Sequence, residues 1–538
     1  MNLFFFAGVM SGVVAAASKP HILAVLVDDF GWANVGWHRS VQTPEVHTPV
    51  MDQLVKEGIE LNRHYVHYMC TPSRASFQTG RLPVHMITQL ADPCDHNGAI
   101  PRNITGIAAQ LKKGGYATHQ VGKWDAGMAT PYHTPHGRGY DSSLNYFGHG
   151  NWMWTQRRWR GSCNHQASVP SEEVDIVDFW DTDKPANSLN GTGYEEFLFR
   201  DRLLEILRNH DQSKPLFLNY DSKVAHYPMQ APEKYQKMFD FIPDVNRRMY
   251  HAMVAVLDEN LGIVKQEMQR LGMWDNTLMI LTSDNGGYVK NPEGPCNITT
   301  SPNPPDNSDI GHGAACFNGE AGANNYPLQG GKYSKWEGGI RVNAFVSGGF
   351  VPAAQRGTKS EGIVHIADWY GTFCHLAGVD PFDSWANASG LPGVDSVNVW
   401  PYLSGQQAQS PRSDFLVDST MIVAGKWKYV EPGTKMVEAA HGGPHYPNAS
   451  TATDPIDSHS WKCPATGCLF DLEADLPEMN EISAQHPDIV KQLNQLLQKE
   501  KATIWKAEHK DDPECEKTAN ERYGGFFGPW LELPSQNN

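Results

Sequence analysis

Hydrophobic positions along this chain fall into short unbroken runs separated by stretches with helical spacing. His21–Val27 (HILAVLV) and Thr277–Ser283 are continuous and β-rich, the pattern of strands buried on both faces of a parallel sheet. Ala117 to Val121 and Pro215 to Tyr220 read as further strands, as do Ile59 to Tyr65 and Ile340 to Val346. Between them the spacing predicts helices over Pro49 to Gly58, Ile107 to Lys113 (stopped by Gly114-Gly115), Glu195 to Asn209 and Ile363 to Ala377. Tyr250, Met253, Leu257, Leu261, Val264 and Met268 form one helical stripe, a core face. Near Gly405 the character changes. Short strands such as Trp427 to Val430 and Leu469 to Leu472 alternate with loops, and Ile489 to Lys499 is helical. The pattern predicts a large α/β unit over residues 18–405 and a small C-terminal one over 406–538.

Composition narrows the class. A chain of 538 residues with 40% hydrophobic and 19% charged positions is a folded globular protein. Its net charge of −16 argues against nucleic acid as a partner, and an anionic ligand must be drawn in by a local basic pocket. Residues 1–17, MNLFFFAGVMSGVVAAA, read as a secretory signal peptide, and no other apolar segment is long enough to span a membrane. Sequons at Asn103, Asn190, Asn297, Asn387 and Asn448 fit a secretory route, to the lysosome or the exterior.

The candidate chemistry sits where the strands end. His21–Val27 runs into Asp28-Asp29, adjacent carboxylates that either hold a cation or open a polar loop. Thr277–Ser283 delivers Asp284-Asn285-Gly286-Gly287, and two such ends can converge at the carboxyl edge of one sheet. No His/Cys zinc spacing accompanies them, so oxygen ligation favours Ca²⁺ or Mg²⁺. Ala117 to Val121 leads to Gly122-Lys123-Trp124-Asp125, and Pro215 to Tyr220 leads to His226-Tyr227-Pro228. Cys70-Thr71-Pro72-Ser73-Arg74 reads as a helix start, with Pro72 at the first helical position and Gly80 at the far end. Cys70 then lies just ahead of unpaired N–H groups, an anion site with a reactive side chain at its mouth. Asn145 to Cys163 is dense in Trp152, Trp154, Arg157, Arg158, Trp159 and Arg160. It suits stacking on sugars or rings while pairing with an anion, or is a mobile surface loop or a packing plug with solvated arginines.

These segments together resemble one family. C-T-P-S-R-x-x-x-x-T-G-R, complete here through Thr79-Gly80-Arg81, is the pattern of the type I sulfatases. Asp28-Asp29-Phe30-Gly31-Trp32, Gly122-Lys123-Trp124, His226-Tyr227-Pro228, Ser283 to Gly287 and Pro327 to Arg341 match its other segments. The resemblance runs from about Lys19 to the C-terminus and is closest to the arylsulfatase B-like (N-acetylgalactosamine-4-sulfatase-like) branch. It implies an alkaline-phosphatase-like α/β sandwich with a large, mostly parallel sheet and a small C-terminal α+β domain with a short antiparallel sheet. It also implies that a formylglycine-generating enzyme oxidises Cys70 during secretion to formylglycine, an aldehyde that hydrates to a diol. One hydroxyl then attacks sulfur and the other expels sulfate.

By the same resemblance Asp28, Asp29, Asp284, Asn285 and residue 70 hold Ca²⁺ (Mg²⁺ as the alternative ion), and Arg74 fixes the nucleophile. Lys123, His226 and Lys332 bind the sulfate of a sulfated carbohydrate or aryl sulfate. A phosphodiesterase or phosphonate hydrolase using formylglycine, and a non-catalytic sulfated-glycan binder, are the competing readings. One position departs from the pattern: Asp125 stands where the family has a histidine that contacts the nucleophile and acts as a base. A carboxylate can do that work, with its pKa raised beside an anionic substrate. Of nine cysteines, conversion of Cys70 leaves eight. Cys463 and Cys468 can close a short loop, Cys296 and Cys316 bracket an insertion, and Cys374 is expected as a buried thiol, leaving Cys163 unpaired. The family's bridge before a G-P-W, here Gly528-Pro529-Trp530, implies a Cys94–Cys515 disulfide.

Overall fold

The computed structural model describes residues 19–39, 43–158, 176–289, 322–436 and 461–532. The signal-peptide segment, Trp159, Arg160, Cys163, Cys296, Cys316 and the sequons at Asn297 and Asn448 lie outside the described residues. A ten-stranded sheet forms the centre. Its order is Thr358–Ser360, Ile59–Leu61, Ala344–Ser347, Thr277–Ser283, His21–Val27, Leu216–Asp221, Ala117–Lys123, Ser142–Tyr146, Trp180–Asp181 and Lys184–Pro185. From Thr277–Ser283 to Ser142–Tyr146 all neighbours run parallel.

The alternation of side chains across a strand explains why His21–Val27 is apolar throughout. Leu23, Val25 and Val27 join the core under the helices Glu195–Asn209 and Val245–Arg270. Ile22, Ala24 and Leu26 join the opposite core, with Cys70–Thr79, Ile107–Lys113 and Asp368–Ala377. Helices therefore cover both faces of the central strands.

Three predicted elements differ. Ile59 to Tyr65 is not one strand: it turns at Asn62-Arg63, and His64–Tyr65 pairs separately with Val364–His365. That pairing takes up the start of the segment predicted as a helix from Ile363, so the helix begins at Asp368, whose carboxylate accepts the His365 N–H. In place of a strand from Ile340, Glu337–Ile340 is a helical turn, and Ala344–Ser347 pairs antiparallel with Thr277–Ser283.

A second, antiparallel sheet of Asp414–Asp418, Met421–Ala424, Trp427–Val430 and Cys468–Asp471 packs against the helix Pro487–Lys501 through Leu493 and Leu497. Beyond Trp505 the chain returns to the large unit, where Cys515, Phe527 and Trp530 are buried in its core. Cys463 and Cys468 are disulfide-bonded and Cys374 is a buried thiol, as the sequence leads one to expect. The Cys94–Cys515 bridge does not form. Cys94 is disulfide-bonded, but Cys515 keeps its thiol, which burial and Asp92 push well above the usual range. Ion pairs hold the tail in place of that bridge: His96 to Asp512 at 2.8 Å and His509 to Asp95 at 2.9 Å. Among the described residues no helix is long and apolar enough to cross a membrane.

Candidate active site

The strand register builds the site. Val27 lies opposite Ser283, and Leu26 and Gly122 both lie opposite Asp221. Adjacent parallel strands thus end level, and Asp28, Lys123, Asp221 and Asp284 emerge side by side at the carboxyl edge. The helix Cys70–Thr79 starts at the same place, with Met69 extended before it and Gly80 left-handed after it (φ 68°). Cys70 is the first helical residue and Pro72 the third, a two-residue shift from the sequence reading. All ten residues singled out from the sequence converge here, each almost fully buried.

Oxygen donors line one side. Cys70 Sγ lies 3.8 Å from Asp28 Oδ1, and ligand atoms of Asp28, Asp29, Cys70 and His226 lie within 4.8 Å of one another. Asn285 Nδ2 donates to Asp29 Oδ1 at 2.8 Å, while Asn285 Oδ1 is buried with no hydrogen-bond partner. Asp284 Oδ1 accepts the Asp29 N–H at 3.3 Å. Burial, with Asp284 next, pushes the Asp28 carboxyl well above its usual range. Buried carboxylates crowded beside an orphaned amide oxygen form a hard-cation donor set, and the residues fit Ca²⁺ or Mg²⁺. Asp29 itself is left-handed (φ 54°), a turn fixed by Tyr250, whose hydroxyl donates to Asp29 O and accepts from the Gly31 N–H.

Cations line the other side. Lys123 Nζ is 2.8 Å from Asp28 Oδ2, and Lys332 Nζ is 2.7 Å from Asp29 Oδ1. Arg74 donates from Nε to Asp284 Oδ2 at 2.8 Å and also reaches the Lys123 carbonyl and Asp221. Against the cost of burial, Asp29 holds Lys332 and Asp28 holds Lys123 above the ordinary lysine range. The His226 imidazole is pushed well below its ordinary value by burial and by Lys332 and Lys123, so it is neutral. Burial also pushes the Cys70 thiol up. Unmodified, it stays protonated and is a poor nucleophile.

Asp125 sits among charged partners. Although burial pushes its carboxyl up, His149 and Lys123 hold it below the usual carboxylate range. Asp125 Oδ1 accepts from Thr71 Oγ1 at 2.9 Å and meets His149 Nδ1 at 3.0 Å, and Asp125 Oδ2 is 3.6 Å from Lys123 Nζ. A cavity of about 300 Å³ opens over the site, lined by His149, His226, Tyr227, Tyr333 and, from the returning tail, His509 and Lys510. Arg158 lines it too, in a buried pair with Asp92 at 2.6 Å, not solvated as the loop reading had it.

The sulfatase family pattern matches residues 20–379. The chain belongs to the sulfatase family. It is 31% identical to mouse arylsulfatase J over 547 residues, covering 96% of this chain and 81% of that one. Human N-acetylgalactosamine-6-sulfatase is 27% identical over 428 residues, 76% and 72% of the two chains. In fold this sulfatase resembles the crystal structure of Ps i-CgsB in complex with k-i-k-neocarrahexaose (TM-score 0.68, 23% identity, 91% and 94% covered). It likewise resembles BT4656 in complex with its substrate D-glucosamine-2-N,6-O-disulfate (TM-score 0.57, 16% identity, 90% and 98% covered).

The sequence reading of this sulfatase passed over several residues. Asp221, raised to about 7 by burial, shares Arg74 with Asp284. Tyr227, Tyr288 and Tyr333 surround Lys332 Nζ at 5.4–5.7 Å from their ring centres. Thr71 lies inside the motif, yet nothing in its spacing marks it as the partner of Asp125. His149 follows a strand and precedes a glycine, with no local signal of its own.

Proposed function

We propose that this sulfatase removes sulfate from a sulfated carbohydrate, with aryl sulfates as the simpler surrogate, after conversion of Cys70 to formylglycine by a formylglycine-generating enzyme. The observation that carries the reading is the burial of Cys70, at the head of the C-T-P-S-R helix, among oxygen donors and Arg74, Lys123 and Lys332. A hydrated formylglycine at position 70 would supply the oxygen nucleophile, and a bound divalent cation would supply Lewis-acid stabilisation of the sulfate charge. Asp28, Asp29, Asp284 and Asn285 would hold that cation, Ca²⁺ in preference to Mg²⁺. Arg74 anchors Asp284 and screens residue 70. Lys123 and Lys332 hold sulfate oxygens, and His226 orients the leaving-group oxygen through a hydrogen bond at its imidazole. The names of the relatives arylsulfatase J and N-acetylgalactosamine-6-sulfatase support a sulfated sugar or aryl ester. A route through the secretory pathway, to the lysosome or the exterior, accords with the disulfide-bonded Cys94, Cys463 and Cys468.

The test is protein purified from a secreting host. Peptide mass spectrometry is expected to find formylglycine at position 70, and the protein to cleave nitrophenyl sulfate and at least one sulfated sugar fragment. Cys70→Ala should fold and turn over neither. An intact Cys70 in active protein, or faster cleavage of nitrophenyl phosphate than of the sulfate, overturns the reading.

A further inference from the structure

Cleaving a sulfate monoester with water yields an alcohol, sulfate dianion and one proton, because sulfate is too weak a base to keep that proton near neutral pH. A group in the pocket must take it. Lys123 and Lys332 are paired with Asp28 and Asp29, and Arg74 with Asp284 and Asp221. His226 is 1% exposed, and its Nδ1 is engaged at the Tyr227 carbonyl. Asp125 is held ionised and is a weak base.

His149 has the geometry that remains. Its Nδ1 lies 3.0 Å from Asp125 Oδ1, the oxygen that Thr71 binds at 2.9 Å, so the pair is tied to the first turn of the Cys70 helix. With Nδ1–H donated to the carboxylate, Nε2 is the nitrogen left for the cavity. The His149 side chain is 27% exposed, open enough to pass a proton on, whereas Asp125 is 1% exposed. Its neighbour Gly150 packs on His226: a Cβ there would come within 3.2 Å of His226 Nδ1. The other charged or titratable groups facing the cavity are His226, Tyr227, Tyr333 and Asp511, Arg158 with Asp92, and Lys510 and His509 with Asp95. Two of them, Arg158 and His509, are already in ion pairs with Asp92 and Asp95.

We propose that His149, oriented by Asp125, takes up at Nε2 the proton released in sulfate-ester cleavage and hands it to solvent. The pair does the work of the single histidine that the sulfatase pattern carries where Asp125 stands. Asp125 fixes the ring and compensates the imidazolium charge. This rests on the sulfatase reading above.

The experiment uses wild type, His149→Ala and His149→Gln, each with its formylglycine fraction measured by peptide mass spectrometry. Both variants are expected to lose on the order of 100-fold in kcat on nitrophenyl sulfate, with KM within about threefold. Added imidazole should restore His149→Ala saturably, since the cavity admits it, and leave His149→Gln unchanged. A second readout needs no turnover. In a Cys70→Ser background, titration with inorganic sulfate in two buffers of different ionisation enthalpy counts protons taken up on binding. That uptake should shrink when His149→Gln is added. Loss of kcat under threefold, absence of imidazole rescue, or unchanged proton uptake overturns the proposal while wild-type turnover keeps the sulfatase reading. A wild type with formylglycine and cation that cleaves no sulfate ester overturns both.

Discussion

Arg74→Met removes the charge that binds three strand ends together. The guanidinium is 2% exposed and lies 2.8 Å from Asp284, 3.5 Å from Asp221 and 4.0 Å from Asp28. Methionine fills much of the volume but leaves those carboxylates buried beside one positive charge fewer. Breaking a buried pair by deleting one partner costs about 3–5 kcal/mol. The pH dependence follows from Asp284 and Asp221. Burial pushes the Asp284 carboxyl up, yet Arg74 first, then Lys123 and Lys332, hold it below the ordinary value of 3.8. A depressed carboxyl contributes stability that is present above its unfolded pKa and is lost as pH falls through the folded one. Deleting Arg74 removes the main source of that contribution. The gap between wild type and variant therefore narrows as pH falls: the share from Asp221, raised to about 7, is lost first, and that from Asp284 is lost as pH falls through the ordinary carboxylate range. Urea unfolding with excess chelator, followed by the fluorescence of buried Trp124 and Trp369, measures it at neutral and at acid pH. A gap under about 1 kcal/mol at neutral pH, or one that widens in acid, refutes the reasoning. Arg74→Lys should recover part of the loss, since one ammonium cannot make the same fork of contacts.

Gly286→Ala should abolish turnover and lower the melting temperature, because a Cβ there would lie 1.6 Å from the Gly338 carbonyl and force the Asp284-Asn285 turn apart. Activity within twofold of wild type would show that the turn can relax. Trp530→Ala should destabilise the large unit by about 3–5 kcal/mol. Its indole is 3% exposed and donates to the Pro93 carbonyl at 3.2 Å, and denaturant midpoints give the value. Cys374, fully buried with its thiol pushed up to about 12, should resist alkylation in native protein and label only on unfolding, as peptide mapping would report.

The continuous run His21–Val27 already requires a central strand, since only a strand covered on both faces tolerates apolar residues at every position. Thr277–Ser283 obeys the same rule. Both runs end in acidic residues, so Asp28, Asp29, Asp284 and Asn285 are legible as neighbours from the sequence. Cys70, Arg74, Lys123, His226 and Lys332 were legible from family motifs, not from periodicity. Elsewhere sequence reasoning ran out because it sees only local period. The turn at Asn62-Arg63 and the late start of the helix at Asp368 follow from pairing between residues about 300 positions apart, His64–Tyr65 with Val364–His365. Cys515 is held by ion pairs and packing of the returning tail, which cysteine spacing cannot register. The charge state of Asp125 was decided by tertiary structure alone. Two adjacent parallel strands, Ala117–Lys123 and Ser142–Tyr146, end level and bring His149 to its carboxylate. A pKa depends on which charges lie within a few ångströms, and strand register, which no single strand's residues encode, sets those distances.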